Sequence, residues 1–229
     1  MLVGAGLLIG VAYLVGSVPS AYIVGRLLRG LDIRRYGSGS VSGSNVWQTV
    51  SRRATIPVYL IDVGKGIIPV LLAKLLGLDL PWQVAVGLAS IIGHNWSLFL
   101  HFQGGRGLVT AGAFVLVIAP RELVIAGTVV VVGLLLLRNL PLASGLAVLS
   151  LPLASLGLEE PPPLTWGLLG ILTLVMLKRL LGNRLPSISS HGKRVIIYRL
   201  VFDRDIRDRR AWIRRQPPEP VVRDEEAGR

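Results

Sequence analysis

Long uncharged stretches separated by short charged segments dominate the sequence. Only the second stretch contains charged residues, Asp62 and Lys65. The stretches span residues 2–25, 54–73, 80–105, 107–120, 123–137, 139–158 and 161–177. Because a helix that crosses a bilayer needs roughly 17–25 mostly apolar residues, the pattern predicts an all-α polytopic membrane protein, a bundle of seven transmembrane helices.

Two of these stretches, 107–120 and 123–137, are short for a full crossing. Only Arg121 and Glu122 separate them, so one long kinked helix and two short spans both fit the pattern. Pro120 followed by two charges favours a tight turn at the membrane edge. We therefore count two helices.

The charges between the stretches predict an orientation. With the N-terminus outside, the inner segments are 26–53, the loop at Arg106, the turn at Arg138 and everything after residue 177. They carry 22 of the 25 basic residues, whereas the outer turns carry two basic and four acidic residues. The positive-inside rule therefore places the N-terminus outside and the C-terminus in the cytoplasm.

The composition supports a membrane protein. Of the 229 residues, 52% are apolar and 17% charged, and the net charge is +12, whereas soluble domains have about 25% charged residues. A soluble enzyme, a coiled coil, a collagen and a disordered chain are disfavoured, and an apolar nucleic-acid binder is a weaker alternative. The lack of cysteine excludes disulfides, thiolate metal sites and a cysteine nucleophile. The N-terminal stretch has no basic leader, so we interpret it as a first transmembrane helix rather than a cleaved signal peptide.

The chain divides into a membrane domain, residues 1–184, and a basic cytoplasmic tail, residues 185–229. The tail's charged stretch 203–215 contains Ile206, Trp212 and Ile213, so a helix there would turn one apolar edge to the membrane or to the protein. A basic anchor on anionic lipid is favoured over a catalytic role. The Pro-rich, acidic residues after Gln216 predict a disordered end.

A glycine- and serine-rich segment follows the first stretch. Residues 37–44 read Gly-Ser-Gly-Ser-Val-Ser-Gly-Ser and come after Arg34 and Arg35. Backbone N–H groups beside glycines, together with serine hydroxyls, suit an anion. A helix that begins near Ser44 or Asn45 would add positive potential. A phosphate-binding loop and a flexible linker are both compatible with the segment.

Asp62 and Lys65 lie three residues apart, and therefore on one face of a helix. Ionisable groups inside a membrane span are costly and usually functional. Since the pair neutralises itself, a structural ion pair is a serious alternative. Gly64 and Gly66 would let another helix approach closely.

A third polar segment lies at the inner end of the third stretch. His94 and Asn95 precede the turn Gly104-Gly105-Arg106-Gly107. Such a turn exposes backbone donors beside a guanidinium, which suits a phosphate. A hydrogen-bonded core histidine and an ordinary charged loop are the alternatives. No nucleophile triad, metal-ligand set, Walker motif or dinucleotide fingerprint is present, so the two glycine-rich segments favour a phosphorylated substrate at the cytoplasmic leaflet.

In this order, the segments resemble the bacterial acyl-phosphate:glycerol-3-phosphate acyltransferases (PlsY). The resemblance covers about residues 10–185. It rests on the following matches: Tyr13, Gly16, Ser17, Pro19, Tyr22, Asp32, Arg34 and 37–39 in the first motif, Asp62, Lys65, Gly66 and Pro69 in the second, and 93–96, Phe99, Phe102, Gly104, Gly105, Gly107 and Thr110 in the third.

The resemblance implies an enzyme of the bacterial plasma membrane with its active site at the cytoplasmic face. The implied reaction moves an acyl group from acyl phosphate to the 1-hydroxyl of glycerol 3-phosphate and gives lysophosphatidic acid for phospholipid biosynthesis. It implies no cofactor and no nucleic acid. The implied partners are the two substrates, membrane lipids and an enzyme that supplies acyl phosphate. An activated donor needs no covalent nucleophile, so the site must hold two anions together and stabilise an oxyanion.

Carried over position by position, the resemblance assigns two groups of site residues. The catalytic group is Ser38, His94, Asn95, Arg106 and Ser144. The substrate-binding group is Gly37, Gly39, Ser40, Gly43, Ser44, Asn45, Arg52, Asp62, Lys65, Gly104, Gly105, Gly107 and Thr110. Within them, Ser38 and Gly39 would line the acyl-phosphate site and Arg106 would hold the glycerol-phosphate anion.

The sequence departs from the family pattern at several positions. Ser40, Gln48 and Arg106 stand where the family has asparagine, arginine and lysine, and Arg52 is taken to replace the missing arginine. The stretch 173–182, in the last helix, lacks the family's histidine and asparagine. The alternatives are therefore a divergent enzyme, with this or another phosphorylated acceptor, and a catalytically impaired lipid-binding relative. A small transporter is least favoured because the outer turns are short.

Overall fold

The computed structural model describes residues 2–182, 192–205 and 208–213, and the regular structure within these ranges is helical. Two 3₁₀ turns, Ile33–Arg35 and Leu98–Leu100, interrupt the loops. The helices are α1 (Leu2–Ser17), α2 (Ser20–Arg29), α3 (Gly43–Thr49), α4 (Thr55–Leu75), α5 (Leu80–Asn95), α6 (Leu108–Ile118), α7 (Pro120–Leu137), α8 (Leu140–Gly157), α9 (Pro162–Leu181), α10 (Gly192–Phe202) and α11 (Arg209–Ile213).

Helices lie in all seven uncharged stretches, with α1 and α2 sharing the first. Among the described residues, five spans are long and apolar enough to cross a membrane: the joined α1 and α2, and then α4, α7, α8 and α9. The helices α5 and α6 are shorter than these. A break at Ala119 separates α6 from α7, so the turn predicted at Pro120 is confirmed.

The prediction of a single long apolar span over 80–105 is wrong, because α5 ends at Asn95. Trp96 leaves the helical conformation, and the hydroxyl of Ser97 donates a hydrogen bond to the carbonyl of Ser17 at 2.5 Å. The chain then folds back until the amide of Gly105 donates to the carbonyl of His94 at 3.0 Å. This return brings the glycine turn against the end of α5.

Glycines bring α1 and α5 into backbone contact. A Cβ on Gly16 would lie 2.1 Å from the carbonyl oxygen of Ser90, and a Cβ on Gly93 would lie 2.2 Å from that of Tyr13. No side chain fits at these distances. Small residues are the usual means by which membrane helices pack closely, and here they fix α5 beside α1.

Close packing at a glycine also joins α4 to α6, at one of the two glycines predicted to allow it. A Cβ on Gly66 would lie 2.3 Å from the carbonyl oxygen of Thr110, which confirms the predicted close approach. The prediction is wrong for Gly64, which meets only Ile68 of its own helix, at 3.5 Å.

An apolar cluster anchors the loop between α2 and α4. Ile33, Val41, Val46 and Val50 are buried, and they pack with residues of α2 and α4 in a second small core. A flexible linker would leave such side chains in water. The linker alternative is therefore wrong, and the loop is a fixed part of the fold.

The C-terminal segment, residues 192–205 and 208–213, docks on the ends of α8 and α9. Arg199 donates hydrogen bonds to the carbonyls of Leu180 and Leu181, in the last turn of α9, where carbonyls lack partners within the helix. Arg179 donates in return to the carbonyl of Leu200 at 3.2 Å. This part of the tail therefore packs on the protein.

Of the apolar tail residues singled out in the sequence, Trp212 is described, and it is buried against the protein. Ile206, the side chain of Ile213 and the predicted disordered end, 216–229, are not among the described residues.

The two ends of the bundle differ in charge and in the loops that cover them. We call the loop face the end formed by segments 30–54, 96–107 and 138–139 and by the C-terminal segment. At the opposite end, an ion pair between Arg121 and Glu160 joins the first turn of α7 to the turn before α9. The segments predicted on the inner side are thus gathered at the loop face.

We expect Gly16→Ala to lower the unfolding midpoint in detergent. The added Cβ would press on the backbone of Ser90, and overpacking of this kind costs about 1–3 kcal/mol. Gly10→Ala is the matched control, because a Cβ there meets nothing within 4 Å in the same helix. Equal midpoints for the two variants, measured by thermal unfolding, would contradict the packing described for α1 and α5.

Candidate active site

A cavity of about 720 Å³ opens on the loop face. One wall is the loop before and within α3, and another is the glycine turn before α6. The ends of α7, α8 and α9 and the C-terminal segment close the remaining sides. Both polar and apolar side chains line the cavity, as described below.

Asn45 holds the glycine- and serine-rich loop in shape. Its side-chain amide donates hydrogen bonds to the carbonyls of Ile33, Tyr36 and Ser40, at 3.0, 3.2 and 3.0 Å. Its oxygen accepts a hydrogen bond from the amide of Ser38 at 3.3 Å. All the hydrogen-bonding groups of this buried side chain are therefore used on the loop backbone.

Two glycines in this loop have conformations that other residues rarely adopt. Gly37 and Gly39 have φ of +54° and +68°, and a Cβ on Gly37 would lie 2.4 Å from the Asn45 oxygen. Glycine is therefore required at position 37 for both the backbone angle and the contact.

Serines of the same loop face the cavity. Ser38, Ser40, Ser42 and Ser44 all line it. The hydroxyl of Ser40 is buried and has no hydrogen-bond partner among the described residues. Since buried polar groups are normally paired, this hydroxyl is a ready contact for a ligand.

The floor of the cavity is a buried network around Asp62. The ammonium of Lys65 and the hydroxyl of Ser20 both lie 2.7 Å from its carboxylate. Nδ1 of His94 lies 3.6 Å from the same oxygen. Asp62 and His94 line the cavity, whereas Lys65 lies behind them. The structural ion pair considered in the sequence is thus present, directly under the site.

The glycine turn fixes the imidazole of His94. A Cβ on Gly105 would lie 2.1 Å from Nε2 of His94, and Nδ1 lies 3.4 Å from the hydroxyl of Thr110. The ring is therefore held on both sides, and it is largely buried at the cavity floor.

Two arginine side chains in the cavity wall supply positive charge. Arg106 lines the cavity, and its Nε donates a hydrogen bond to Asp203 at 2.6 Å. Arg179, at the end of α9, also lines it and donates to the hydroxyl of Ser144 at 2.9 Å. An anion in contact with both would meet planar, multidentate donors, which suit phosphate.

Apolar side chains also line the cavity. They belong to the start of α6, the end of α7 and the start of α8, and they include Leu108, Val109, Leu134, Leu137 and Leu140. Leu134 and Leu137 are partly exposed. The cavity therefore combines cationic and hydroxyl groups with an apolar lining.

The predicted site residues fall into three groups. On the cavity wall lie Ser38, Ser40, Gly43, Ser44, Asp62, His94, Arg106, Gly107 and Ser144. Behind the wall, shaping it, lie Gly37, Gly39, Asn45, Lys65, Asn95, Gly104, Gly105 and Thr110.

Arg52 forms the third group, because it is not among the residues that line the cavity. Its side chain is exposed and stacks on Trp47, with the guanidinium carbon 5.2 Å from the ring centroid. Arg34 is also directed elsewhere, because Nε and Nη2 both bind Asp32, at 2.9 and 2.7 Å. This hydrogen-bonded pairing lowers the pKa of the Asp32 carboxyl. Both arginines therefore lie outside the cavity.

Four charged residues of the wall were not among the predicted site residues: Arg138, Arg179, Asp203 and Arg204. Arg179 could have been found, because a buried arginine at the end of an apolar span is a functional candidate. Asp203 carried no comparable signal, since it lies 97 residues from Arg106 in a charged tail.

The comparisons with known proteins agree with this geometry. The family model described as glycerol-3-phosphate acyltransferase matches residues 6–184. The chain belongs to the glycerol-3-phosphate acyltransferase family. The predicted family, the predicted class of enzyme and the transfer of an acyl group to glycerol 3-phosphate are thereby confirmed.

Individual relatives match most of the chain. The glycerol-3-phosphate acyltransferase 5 of Dehalococcoides mccartyi (strain ATCC BAA-2266 / KCTC 15142 / 195) is 41% identical over 89% of this chain and 90% of its own length. The enzyme of Geobacter sulfurreducens is 38% identical over 75% of this chain and 88% of its own length.

Solved structures of PlsY (YgiH), an integral membrane glycerol 3-phosphate acyltransferase, have the same fold. The glycerol 3-phosphate form is 31% identical, has a TM-score of 0.72, and covers 77% of this chain and 88% of its own. The lysophosphatidic acid form is 28% identical, has a TM-score of 0.71, and covers 86% and 93%. The integral membrane character predicted here is therefore confirmed.

We expect Lys65→Met to destabilise the protein strongly. The change leaves the Asp62 carboxylate buried without its cation, and removal of one partner of a buried pair costs about 3–5 kcal/mol. The double variant Asp62→Asn/Lys65→Met should recover much of the loss, because no charge stays buried. Thermal unfolding in detergent measures both.

The control for this comparison is Arg121→Met, at the opposite end of the bundle. Arg121 is exposed in its ion pair with Glu160, and exposed pairs contribute about 0–1 kcal/mol. If Lys65→Met were as mild as Arg121→Met, the Asp62 network would not support the cavity floor.

Proposed function

We propose that the protein transfers an acyl group from acyl phosphate to the 1-hydroxyl of glycerol 3-phosphate in this cavity. The observation that carries the proposal is the joining of anion-binding groups and an apolar lining in a single space. An acyl phosphate combines an anionic head with an apolar chain, and the acceptor brings a second anion. The cavity offers a complementary surface to each.

In the proposed arrangement, the head of the acyl phosphate lies against the loop at Ser38 and Ser40. The orphan hydroxyl of Ser40 and the backbone amides of the loop donate to it. The acyl chain follows Leu134 and Leu137 towards the membrane. The phosphate of glycerol 3-phosphate lies between Arg106 and Arg179, whose guanidinium groups bind oxyanions from two sides.

The chemical step then requires orientation more than activation. The oxygen of the 1-hydroxyl attacks the carbonyl carbon of the donor, the bond from that carbon to the phosphate oxygen breaks, and inorganic phosphate leaves. We propose that the hydroxyl proton passes to a phosphate oxygen of a substrate. Under this hypothesis His94, beside Asp62, orients the reactants, and the arginines stabilise the developing negative charge.

The proposed setting is a bacterial plasma membrane crossed seven times, with the N-terminus outside and the loop face in the cytoplasm. The excess of basic residues in the segments of the loop face supports this orientation. The short helices α5 and α6 would then complete the seven crossings. A lipid-pathway enzyme that supplies acyl phosphate is the proposed partner.

We expect purified protein in detergent to release inorganic phosphate from acyl phosphate only when glycerol 3-phosphate is present. Mass spectrometry should identify lysophosphatidic acid in equal amount. Acyl-coenzyme A replaces acyl phosphate in the parallel reaction and should give no product. Product formation from acyl-coenzyme A alone, with no phosphate release from acyl phosphate, would overturn the proposed donor.

We expect His94→Ala to retain measurable turnover, because a substrate phosphate takes the proton. The rate should fall by less than about 10²-fold, the lower end of what a general base contributes. His101→Asn is the matched control, since His101 is exposed and its φ of +52° suits asparagine. Complete loss of turnover in His94→Ala, with unchanged binding of glycerol 3-phosphate, would identify a histidine base instead.

A further inference from the structure

The contact between Arg106 and Asp203 joins the membrane domain to the C-terminal segment at the cavity wall. Both residues line the cavity, and their side chains are 13% and 23% exposed. The contact uses a single guanidinium atom, Nε, which donates to the carboxylate of Asp203 at 2.6 Å. Among the described residues, Nη1 and Nη2 of Arg106 make no hydrogen bond.

The backbone directs the Asp203 carboxylate to this place. Asp203 follows the last residue of α10 with a φ of +52°, and its amide donates to the carbonyl of Arg199 at 3.0 Å. This is the left-handed ending common at helix C-termini, where aspartate and asparagine are tolerated better than most side chains. The α10 end is in turn tied to α9, because Arg199 binds the last carbonyls of that helix.

We propose that Asp203 is a positioning residue that orients Arg106 for the phosphate of glycerol 3-phosphate. This inference rests on the proposed role of Arg106. A guanidinium has five N–H groups in a rigid plane. Nε carries one, so four on Nη1 and Nη2 stay available to an oxyanion while the carboxylate fixes the plane.

The charges around the contact favour positioning over simple neutralisation. Arg179 and Arg204 line the same cavity, and Arg179 interacts electrostatically with both Arg106 and Asp203. Without the carboxylate, Arg106 would be repelled by these cations and would turn towards solvent. The cavity lining has four arginines and two carboxylates, Asp62 and Asp203, so the site stays positive while Asp203 keeps Arg106 in it.

Asp203 lies beyond the part of the chain that the family model matches, residues 6–184. The match to the Dehalococcoides mccartyi relative covers 89% of this chain, which exceeds the share formed by residues 1–184 and therefore extends into the tail. The proposed positioning carboxylate therefore lies outside the membrane domain that the family model describes.

The first test measures KM and kcat for glycerol 3-phosphate in Asp203→Asn and Asp203→Gly. Both substitutions suit the left-handed backbone, so the helix end is kept while the carboxylate is lost. We expect KM to rise by about ten-fold in both, because a displaced guanidinium binds the phosphate poorly. Asp203→Glu should restore part of the affinity.

The matched control is Asp208→Asn in the same segment. Asp208 is exposed, and its carboxylate accepts hydrogen bonds from the amides of Arg210 and Ala211. Asparagine serves equally well in that position. The control makes the same change in charge at a residue that does not line the cavity. Its KM should therefore equal that of the unaltered enzyme.

The second test measures the effect of Asp203→Asn on KM in an Arg106→Lys background, where we expect the opposite sign. A lysine has one nitrogen, so Asp203 would hold the ammonium that the phosphate needs. Asp203→Asn should therefore lower KM in Arg106→Lys, although it raises KM beside arginine. A structural role of the tail would raise KM in both backgrounds.

Two outcomes overturn the inference. A lower KM in Asp203→Asn beside Arg106 would show that the carboxylate competes with the substrate, and an unchanged KM would show that it has no role. If Arg106→Met also leaves KM unchanged, the proposed place of glycerol 3-phosphate fails. If Arg106→Met raises KM and Asp203→Asn does not, only the positioning role fails.

Discussion

The buried ion pair between Asp62 and Lys65 is the interaction on which the site depends. Serine 20 of α2 donates to the carboxylate of Asp62, and α5 and α6 each donate a side-chain hydroxyl, from Ser90 and Thr110, to backbone carbonyls of the pair. Polar groups inside a membrane must find partners within the protein. Four helices are therefore fixed in register around one point, and that point is the cavity floor.

The side chain of Asn45 fixes the loop in the same way that the ion pair fixes the helices. In both places, one buried polar group forms hydrogen bonds with several groups from other parts of the chain. Glycines make both arrangements possible. The absence of a side chain at Gly37 leaves room for the Asn45 oxygen, and its absence at Gly105 leaves room for the ring of His94. A site for two anions needs this rigidity, since backbone donors are useful only if they already face the ligand.

The sequence predicted the helices well because a bilayer selects strongly on length and polarity. It failed to place the end of α5, because 96–105 is uncharged like the helical stretches, yet its backbone turns at Trp96. It also predicted the segments that build the cavity. The sequence could not distinguish residues that line the cavity from residues behind them. A glycine beside a ligand and a glycine that makes room for a neighbouring side chain have the same appearance in a sequence. The pairing of Arg179 with Ser144 depends on the way distant helices pack.

The basic residues illustrate why net charge alone does not locate a site. Most of the +12 charge has a sufficient cause in membrane topology and attraction to anionic lipid. The remaining arginines are distinguished by the contacts that each guanidinium group makes. Arg34 binds Asp32 through two nitrogens, and this pair lies in the loop. Arg106 meets Asp203 through Nε alone. The same two residue types therefore form a loop contact in one place and, in the role proposed above, an oriented receptor for an anion in another, and the difference lies in which guanidinium atoms bind the carboxylate.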